Sequence, residues 1–525
     1  MSKSIRQSII LGCWMLMTLV GLASAQDNTA KSKAPARSRP NIVFIFTDDH
    51  AYQAMSCYGS RINQTPQLDR LARSGMRFDR CLVTNSICGP SRATILTGKY
   101  SHLNGFRQNG DRFDGSQVTM PKLLQAVGYQ TALFGKWHLN SDPTGFDEWM
   151  VLPDQGDYYN PDFLTPNGKV RVDGYVTDVI TERGIEWMAK ERDSNKPFML
   201  MLQHKAPHRN WMPGPKHLGD LRDVDLPEPE TLFDDYATRA DVLKENQMTI
   251  ARHFNPPSDL KIWDPNLEDK QPKYLSRLKP EQRKAFTDAY AKENADYVSN
   301  PLEGDEKTRY FYQRYLKDYL RCIASVDDSV GQVLDYLDAN GLSENTVVVY
   351  ASDQGFYLGE HGWYDKRWIF EESLRTPLLV RWPGVTKPNT SCDRIVSNLD
   401  FAETLLEMAG AEVPAEMQGC SIAPLLRGES PADWRTSFYY HYYELHTHRV
   451  AAHYGVVTDR YKLVRYYERL NSENKPEAID QWDLMDREKD PNELRSFIAD
   501  PSYATTKATL QAELERLRKE LKVGN

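Results

Sequence analysis

The stretch Asn41-Ile42-Val43-Phe44-Ile45-Phe46 runs directly into Thr47-Asp48-Asp49-His50. A continuous apolar run, rather than an alternating one, predicts a strand buried on both faces, as in a parallel sheet. Similar short runs recur at Thr131–Phe134, Phe198–Leu202 and Val347–Tyr350, with helical patterns between them. Thr65-Pro66 opens one helix, as an N-cap followed by proline at the first helical position. Further helical patterns cover Tyr175–Ala189 and Thr308–Leu337, the latter ending near Gly341. Strands alternating with helices predict an α/β fold: a doubly wound, mostly parallel sheet flanked by helices. Ligands of such sheets bind at the carboxyl ends of the strands, where Asp48 and Asp49 fall.

Residues 40–430 read as this main domain. Within it, residues 212–306 are rich in Pro, Asp, Lys and Glu and weakly periodic. They form a long insertion over one face of the sheet, either a substrate rim or a solvated surface excursion. Residues 431–525 change character, with short aromatic, alternating segments at Ser437–Tyr443, Val450–Val457, Tyr461–Tyr467 and Gln481–Met485. These predict a small antiparallel sheet, with Thr458-Asp459-Arg460 as one turn and a closing helix over Tyr503–Leu521.

The chain has 525 residues, 40% hydrophobic and 26% charged, the composition of a soluble globular protein. A formal charge of −8 argues against a nucleic-acid partner but leaves room for a local basic pocket. Residues 1–25 read as a signal peptide: Lys3 and Arg6, an apolar run from Ile9 to Leu22, and Ala23-Ser24-Ala25 as cleavage site. This predicts a secreted or periplasmic protein, with residues 26–39 a flexible lead-in. No later segment predicts a membrane span. Of seven cysteines, Cys13 leaves with the signal. With Cys88 set aside, five remain, which allows at most two disulfides.

Cys88-Gly89-Pro90-Ser91-Arg92 leads into Leu96-Thr97-Gly98. Pro90 suits the first turn of a helix and Gly98 a left-handed cap at its end. Cys88 then sits at the positive end of a short helix, where anions bind and thiols are activated. Arg92, one turn on, is placed to reach an anion held there. Ser352-Asp353-Gln354-Gly355 follows its strand as Asp48-Asp49 follows the first. Asp48, Asp49, Asp353 and Gln354 offer only oxygen, which suits Ca²⁺ or Mg²⁺ rather than Zn²⁺. Gly135-Lys136-Trp137-His138 and His204-Lys205-Ala206-Pro207-His208 each follow a predicted strand, and Tyr364-Asp365-Lys366-Arg367 adds another basic turn. Taken singly, each of these segments also suits an ordinary surface turn.

The pattern C-x-P-S-R-x-x-x-L-T-G at Cys88–Gly98 resembles the signature of the type I sulfatases, of the alkaline phosphatase-like superfamily. The other segments resemble that family's in the same order across residues 40–410. The resemblance implies that a maturation enzyme oxidises Cys88 to formylglycine, whose hydrate is the nucleophile and a metal ligand. It implies that Asp48, Asp49, Asp353 and Gln354 hold the cation, Gln354 standing where relatives often have Asn or His. Lys136, Lys366 and Arg92 would neutralise the sulfuryl oxygens. His208 would protonate the leaving group, His138 would act as base in sulfate release, and His204 would pack or orient its neighbours.

Within the family, the segments Asp365–Arg381, His453-Tyr454-Gly455 and Trp482-Asp483-Leu484 most resemble secreted bacterial glycan sulfatases of the N-acetylglucosamine-6-sulfatase type, mucin- and glycosaminoglycan-desulfating members included. This implies a sulfated glycan as substrate, with Trp211, Arg107, Arg449 and His453 as candidate sugar contacts. Trp211 and His453 equally suit packing positions. The alternatives are a broad arylsulfatase, a phosphonate or phosphate monoester hydrolase on the same fold, and an inactive glycan-binding homologue.

Overall fold

Asn41–Thr47 is a strand with every residue buried, and its side chains divide between two cores. Val43 and Ile45 join Phe134, Leu200, Leu202 and Tyr350 on one face. Ile42, Phe44 and Phe46 join Leu133, Met199, Met201 and Val347 on the other. The structure is a computed structural model and describes residues 39–263 and 272–524. Residues 1–25, read as a signal peptide, and nearly all of the lead-in lie outside the described residues.

The strand is central in a sheet of ten. In order these are Thr390–Cys392, Met76–Phe78, Leu378–Arg381, Thr346–Ser352, Asn41–Thr47, Phe198–Gln203, Gln130–Lys136, Glu148–Leu152, Asp162–Thr165 and Gly168–Arg171. The run from Thr346–Ser352 to Glu148–Leu152 is parallel. Antiparallel pairings occur toward both edges. Helices Pro66–Ser74, Val176–Lys190 and Gly304–Ala339 cover one face, and Cys88–Thr97, Met120–Ala126 and Phe401–Ala409 the other. The carboxyl ends of the parallel strands share one edge, since Thr47 pairs with Ser352, Phe46 with Gln203 and Lys136 with Leu152.

The insertion is not a solvated excursion. Met248, Ile250, Leu260 and Trp263 are buried, because the segment packs on the helix Gly304–Ala339 and on the loop before Lys366. Its helix Pro280–Ser299 buries only Phe286, Tyr290 and Asn294, which explains the weak periodicity. Beyond residue 430, strands Ser437–Tyr442, Ala452–Thr458, Tyr461–Leu470 and Pro476–Asp486 form an antiparallel sheet. One face packs Tyr440, Tyr466 and Met485 against Trp368 and Ile87. The other lies under Leu510, Leu514 and Leu517 of the helix Ala504–Glu520. The last two strands run further than the alternation predicts, because their distal pairs, Glu468 with Ala478, Arg469 with Glu477 and Leu470 with Pro476, do not alternate apolar with polar. All six described cysteines are free thiols.

Candidate active site

Two loops at the carboxyl edge bring three carboxylates together. Asp48 and Asp49 leave Asn41–Thr47, Asp353 leaves the neighbouring strand, and all three are buried. Their oxygens lie within 4.8 Å of one another, and a second set within that distance comprises Asp48, Cys88 and His208. Burial, reinforced by Asp48 and resisted by Lys366, pushes Asp49 up to about 6. Burial and Asp48 push Asp353 up to about 8 against Arg92. Burial would raise Asp48 too, but Lys136, His208, Arg92 and Lys366 hold it well below the usual range. Buried carboxylates in such a set repel one another unless a cation or proton intervenes.

A hard cation fits the donors. Asp48 Oδ1 and Gln354 Oε1 are buried acceptors without a hydrogen-bond partner. The Gln354 amide is oriented by its nitrogen, which donates to Asp49 Oδ1 at 2.5 Å, so its oxygen is left as a donor to a cation.

Cys88 is the first residue of the helix Cys88–Thr97, which Gly98 ends at φ 61° and ψ 25°. The Gly89 N–H donates to Asn109 Oδ1 at 3.0 Å. Burial and the Asp48 carboxylate push the Cys88 thiol up, so the helix end does not make it a thiolate. Arg92 departs from expectation. Its Nε and Nη2 donate to Asp353 Oδ2 at 3.2 and 3.0 Å, and Nη1 to the Lys136 carbonyl and Gln203 Oε1 at 2.7 and 2.8 Å. With these donors committed, Arg92 anchors a carboxylate rather than facing an open anion site.

Lys136 ends its strand after Gly135, which takes φ 115° and approaches the Gln203 carbonyl too closely for a Cβ. Lys136 pairs with Asp48, and Nζ also donates to Gln155 Oε1 at 2.5 Å. Lys366 Nζ lies 2.6 and 2.8 Å from the two oxygens of Asp49. His138, at φ 56°, has Nε2 3.0 Å from Gln155 Nε2 and 3.5 Å from Asp154 Oδ1. Burial and Lys136 bring His138 down to about 4. His208 directs Nδ1 at the Arg209 carbonyl, 2.7 Å away, which leaves Nε2 3.8 Å from Asp49 Oδ2. Lys205 is a further buried cation nearby, brought down to about 8 by burial and Lys136, with its Nζ 4.9 Å from the centre of the Tyr158 ring. Non-glycine residues at positive φ (Asp49, His138, Asp365 and Arg367) punctuate these loops. Such strain is characteristic of functional sites.

The sugar-contact candidates fare differently. Trp211 is fully buried, its ring 4.7 Å from that of Tyr315 and 6.0 Å from that of Phe254, so it is a core residue. His453 is fully buried among Trp368, Tyr440 and Tyr466. Both are corrections: these aromatic rings are enclosed by others and offer no face to a sugar. Arg449 is tied down as well, donating to the Leu470 and Asn471 carbonyls at 2.9 and 3.0 Å. Arg107 is exposed and lies over Tyr443 at 5.7 Å. Sequence reasoning missed Gln155, Asn109 and Lys205. A cleft of about 230 Å³ opens beside His138, lined by Arg112, Asn140, Asp142 and Asp154 among others.

Oxygen ligands for a hard cation beside ammonium groups, with histidines on either hand, define a hydrolase of anionic esters. Residues 40–411 match the family model described as Sulfatase, and residues 359–520 the one described as N-sulphoglucosamine sulphohydrolase, C-terminal. The chain therefore belongs to the sulfatase family, the sulfuric ester hydrolases. N-acetylglucosamine-6-O-sulfatase from Bacteroides thetaiotaomicron is 44% identical over 519 residues, which span 97% of this chain and 91% of that protein. N-acetylglucosamine-6-sulfatase from Homo sapiens is 28% identical, covering 77% of this chain and 67% of the human protein. A structure solved in complex with its substrate D-glucosamine-2-N,6-O-disulfate aligns with a TM-score of 0.89 at 44% identity, over 93% of this chain and 99% of that one. Phosphonate monoester hydrolase from Silicibacter pomeroyi shares the fold, with a TM-score of 0.66 at 21% identity over 92% of this chain and 95% of its own. Among the described residues no helix is long and apolar enough to cross a membrane.

Proposed function

We propose that this sulfatase removes the 6-O-sulfate from N-acetylglucosamine or a related glucosamine of a sulfated glycan. Residue 88 acts as formylglycine, made from Cys88 by a separate maturation enzyme. Asp48, Asp49, Asp353 and Gln354 hold Ca²⁺, with Mg²⁺ as the alternative. The observation that carries the substrate is the 44% identity to an N-acetylglucosamine-6-O-sulfatase across 97% of the chain. Export through the signal ending near Ala25 would place the enzyme in the periplasm or outside the cell.

Sulfate ester hydrolysis needs an activated nucleophile, charge neutralisation and a protonated leaving group. The cation, when bound, lowers the pKa of an adjacent oxygen nucleophile and neutralises developing charge. Lys136 and Lys366 now pair with Asp48 and Asp49. Both ammonium groups sit where they would also meet sulfuryl oxygens of a bound ester, each such contact contributing roughly 1.5–3 kcal/mol. His208, as the imidazolium whose Nδ1–H the Arg209 carbonyl accepts, would give its Nε2 proton to the departing alcohol; burial and Lys136 hold its pKa well below the usual range, so that proton would be taken up once the ester's negative charge lies beside the ring. His138, neutral above about 4, is ready to take the proton whose loss releases sulfate. A formylglycine hydrate has two hydroxyls on one carbon, one to attack and one to deprotonate. A serine has no second hydroxyl, which is the physical reason for the modification.

The test is sulfate release across defined sugars sulfated at single positions, with sulfate and phosphonate esters of one leaving group in parallel. Release confined to 6-O-sulfated glucosamines is expected, together with the mass of formylglycine at position 88. Preference for a phosphonate, for another sugar or position, or glycan binding by a protein with an unmodified Cys88 would refute the reading.

A further inference from the structure

The structure gives the insertion a task. We propose that Asp259 is a positioning residue for His208, acting through Arg209; this rests on reading His208 as the group that protonates the departing alcohol. His208 Nδ1 is 2.7 Å from the Arg209 carbonyl. A carbonyl can only accept, so Nδ1 carries a proton in either charge state and Nε2 faces the site, 3.8 Å from Asp49 Oδ2. The direction of the ring therefore follows the position of the Arg209 backbone.

That backbone is held from the insertion. Arg209 Nε and Nη2 donate to the two oxygens of Asp259 at 2.7 and 2.6 Å, a bidentate pair with Asp259 fully buried. The carboxylate also accepts the Asn255 N–H at 2.7 Å, and the Arg209 guanidinium lies over the Tyr364 ring at 5.3 Å. Asp259 is itself anchored. Arg314 of the helix Gly304–Ala339 donates to the Leu260 carbonyl at 2.8 and 3.2 Å. Lys261 Nζ donates to the Asp259 carbonyl at 3.1 Å and lies 3.4 Å from Asp318 of the same helix.

The same segment grips the loop carrying Lys366. The Tyr364 N–H donates to the Met248 carbonyl at 3.0 Å and the Ile250 N–H to the Gly362 carbonyl at 2.9 Å. Phe254 stacks on Tyr364 with centroids 4.2 Å apart. The insertion thus braces two reactive side chains against the longest helix. Misplacement of a catalytic group by about 1 Å can cost on the order of a hundredfold.

The test is a double-mutant cycle between Asp259→Asn and His208→Ala, measured on 6-O-sulfated N-acetylglucosamine and on 4-nitrophenyl sulfate, whose phenolate leaves without a proton. Asp259→Asn is expected to lower kcat on the sugar about 10- to 100-fold with little change in KM. It should spare the aryl sulfate and add nothing in the His208→Ala background. Arg209→Lys keeps the cation but loses the fork, and should give the same pattern if Asp259→Asn melts early. A further loss in the His208→Ala background, or equal losses on both esters, overturns the positioning role. If His208→Ala itself slows both esters equally, the acid role of His208 falls and the proposal with it. If only His208→Ala discriminates between the esters, the positioning role alone falls.

Discussion

The backbone N–H of Asp49 donates to Asp353 Oδ1 at 3.0 Å, across 304 positions of sequence. Asp353 is thereby held beside Asp48 and Asp49, so the three carboxylates that would hold a cation are gathered by the fold itself. Adding Ca²⁺ to chelator-treated protein should raise the melting temperature, since a ligand at a hundred times its Kd stabilises by about 2.7 kcal/mol. Asp353→Asn should abolish most of that rise. An unchanged melting curve with both Ca²⁺ and Mg²⁺ would exclude the assigned site.

Gln155 links two reactive side chains. Because the Lys136 ammonium only donates, it orients the amide oxygen toward itself and the amide nitrogen toward His138 Nε2. Gln155→Leu should leave both groups without that partner. A lost buried hydrogen bond costs about 1–3 kcal/mol, so kcat should fall about tenfold to a hundredfold. Steady-state kinetics at saturating substrate reads this directly; an unchanged kcat would show that the amide orients neither group.

Stability should fall with rising pH through a carboxyl remote from the reaction. Glu403, on the helix Phe401–Ala409, accepts the Gly419 N–H at 2.7 Å while its other oxygen has no partner. Burial, with Asp400 adding, pushes its pKa up from 4.5 to about 8. The folded state therefore binds this proton more tightly than the unfolded chain. Its contribution is full below about 4.5 and is lost as pH rises through about 8, at up to roughly 1.4 kcal/mol per pH unit. Glu403→Gln should flatten the melting temperature between pH 5 and 8; a slope identical to the parent's would refute the assignment.

Trp211 should matter for stability rather than for substrate choice. It is enclosed by Phe254, Tyr315, Phe356 and Tyr364. Trp211→Ala should destabilise by about 3–5 kcal/mol, the usual cost of removing a large buried ring. Denaturant titration measures that loss, and KM of the folded fraction should be unaffected. A raised KM with normal stability would return Trp211 to the sugar site.

The central strands, several helices and the reactive residue types were legible in the chain. An unbroken run such as Ile42–Phe46 reports burial on both faces. Proline at the first helical position, Pro66, and a left-handed glycine at a helix end, Gly98, act within one turn, whereas the Thr65 side chain bonds Ser56 instead of capping its helix. The ends of the last two strands were not legible, because their pairs mix charged residues with Ala478, Leu470 and Pro476 and leave no alternation. Trp211 and His453 resembled sugar platforms because aromatic rings look alike until their surroundings are known. Gln155, Asp259 and Asn109 carry no signal at all, being single polar residues in loops or, for Asp259, a single helical turn.

Residue chemistry and local periodicity determined the α/β class and the ingredients of the site, since both act over a few neighbouring positions. Only the tertiary structure decided who meets whom. Arg92 takes Asp353, Gln155 joins Lys136 to His138, and Asp259 reaches Arg209 from the insertion. Partner choice depends on burial and on loops closed over tens to hundreds of residues, and no local pattern encodes that.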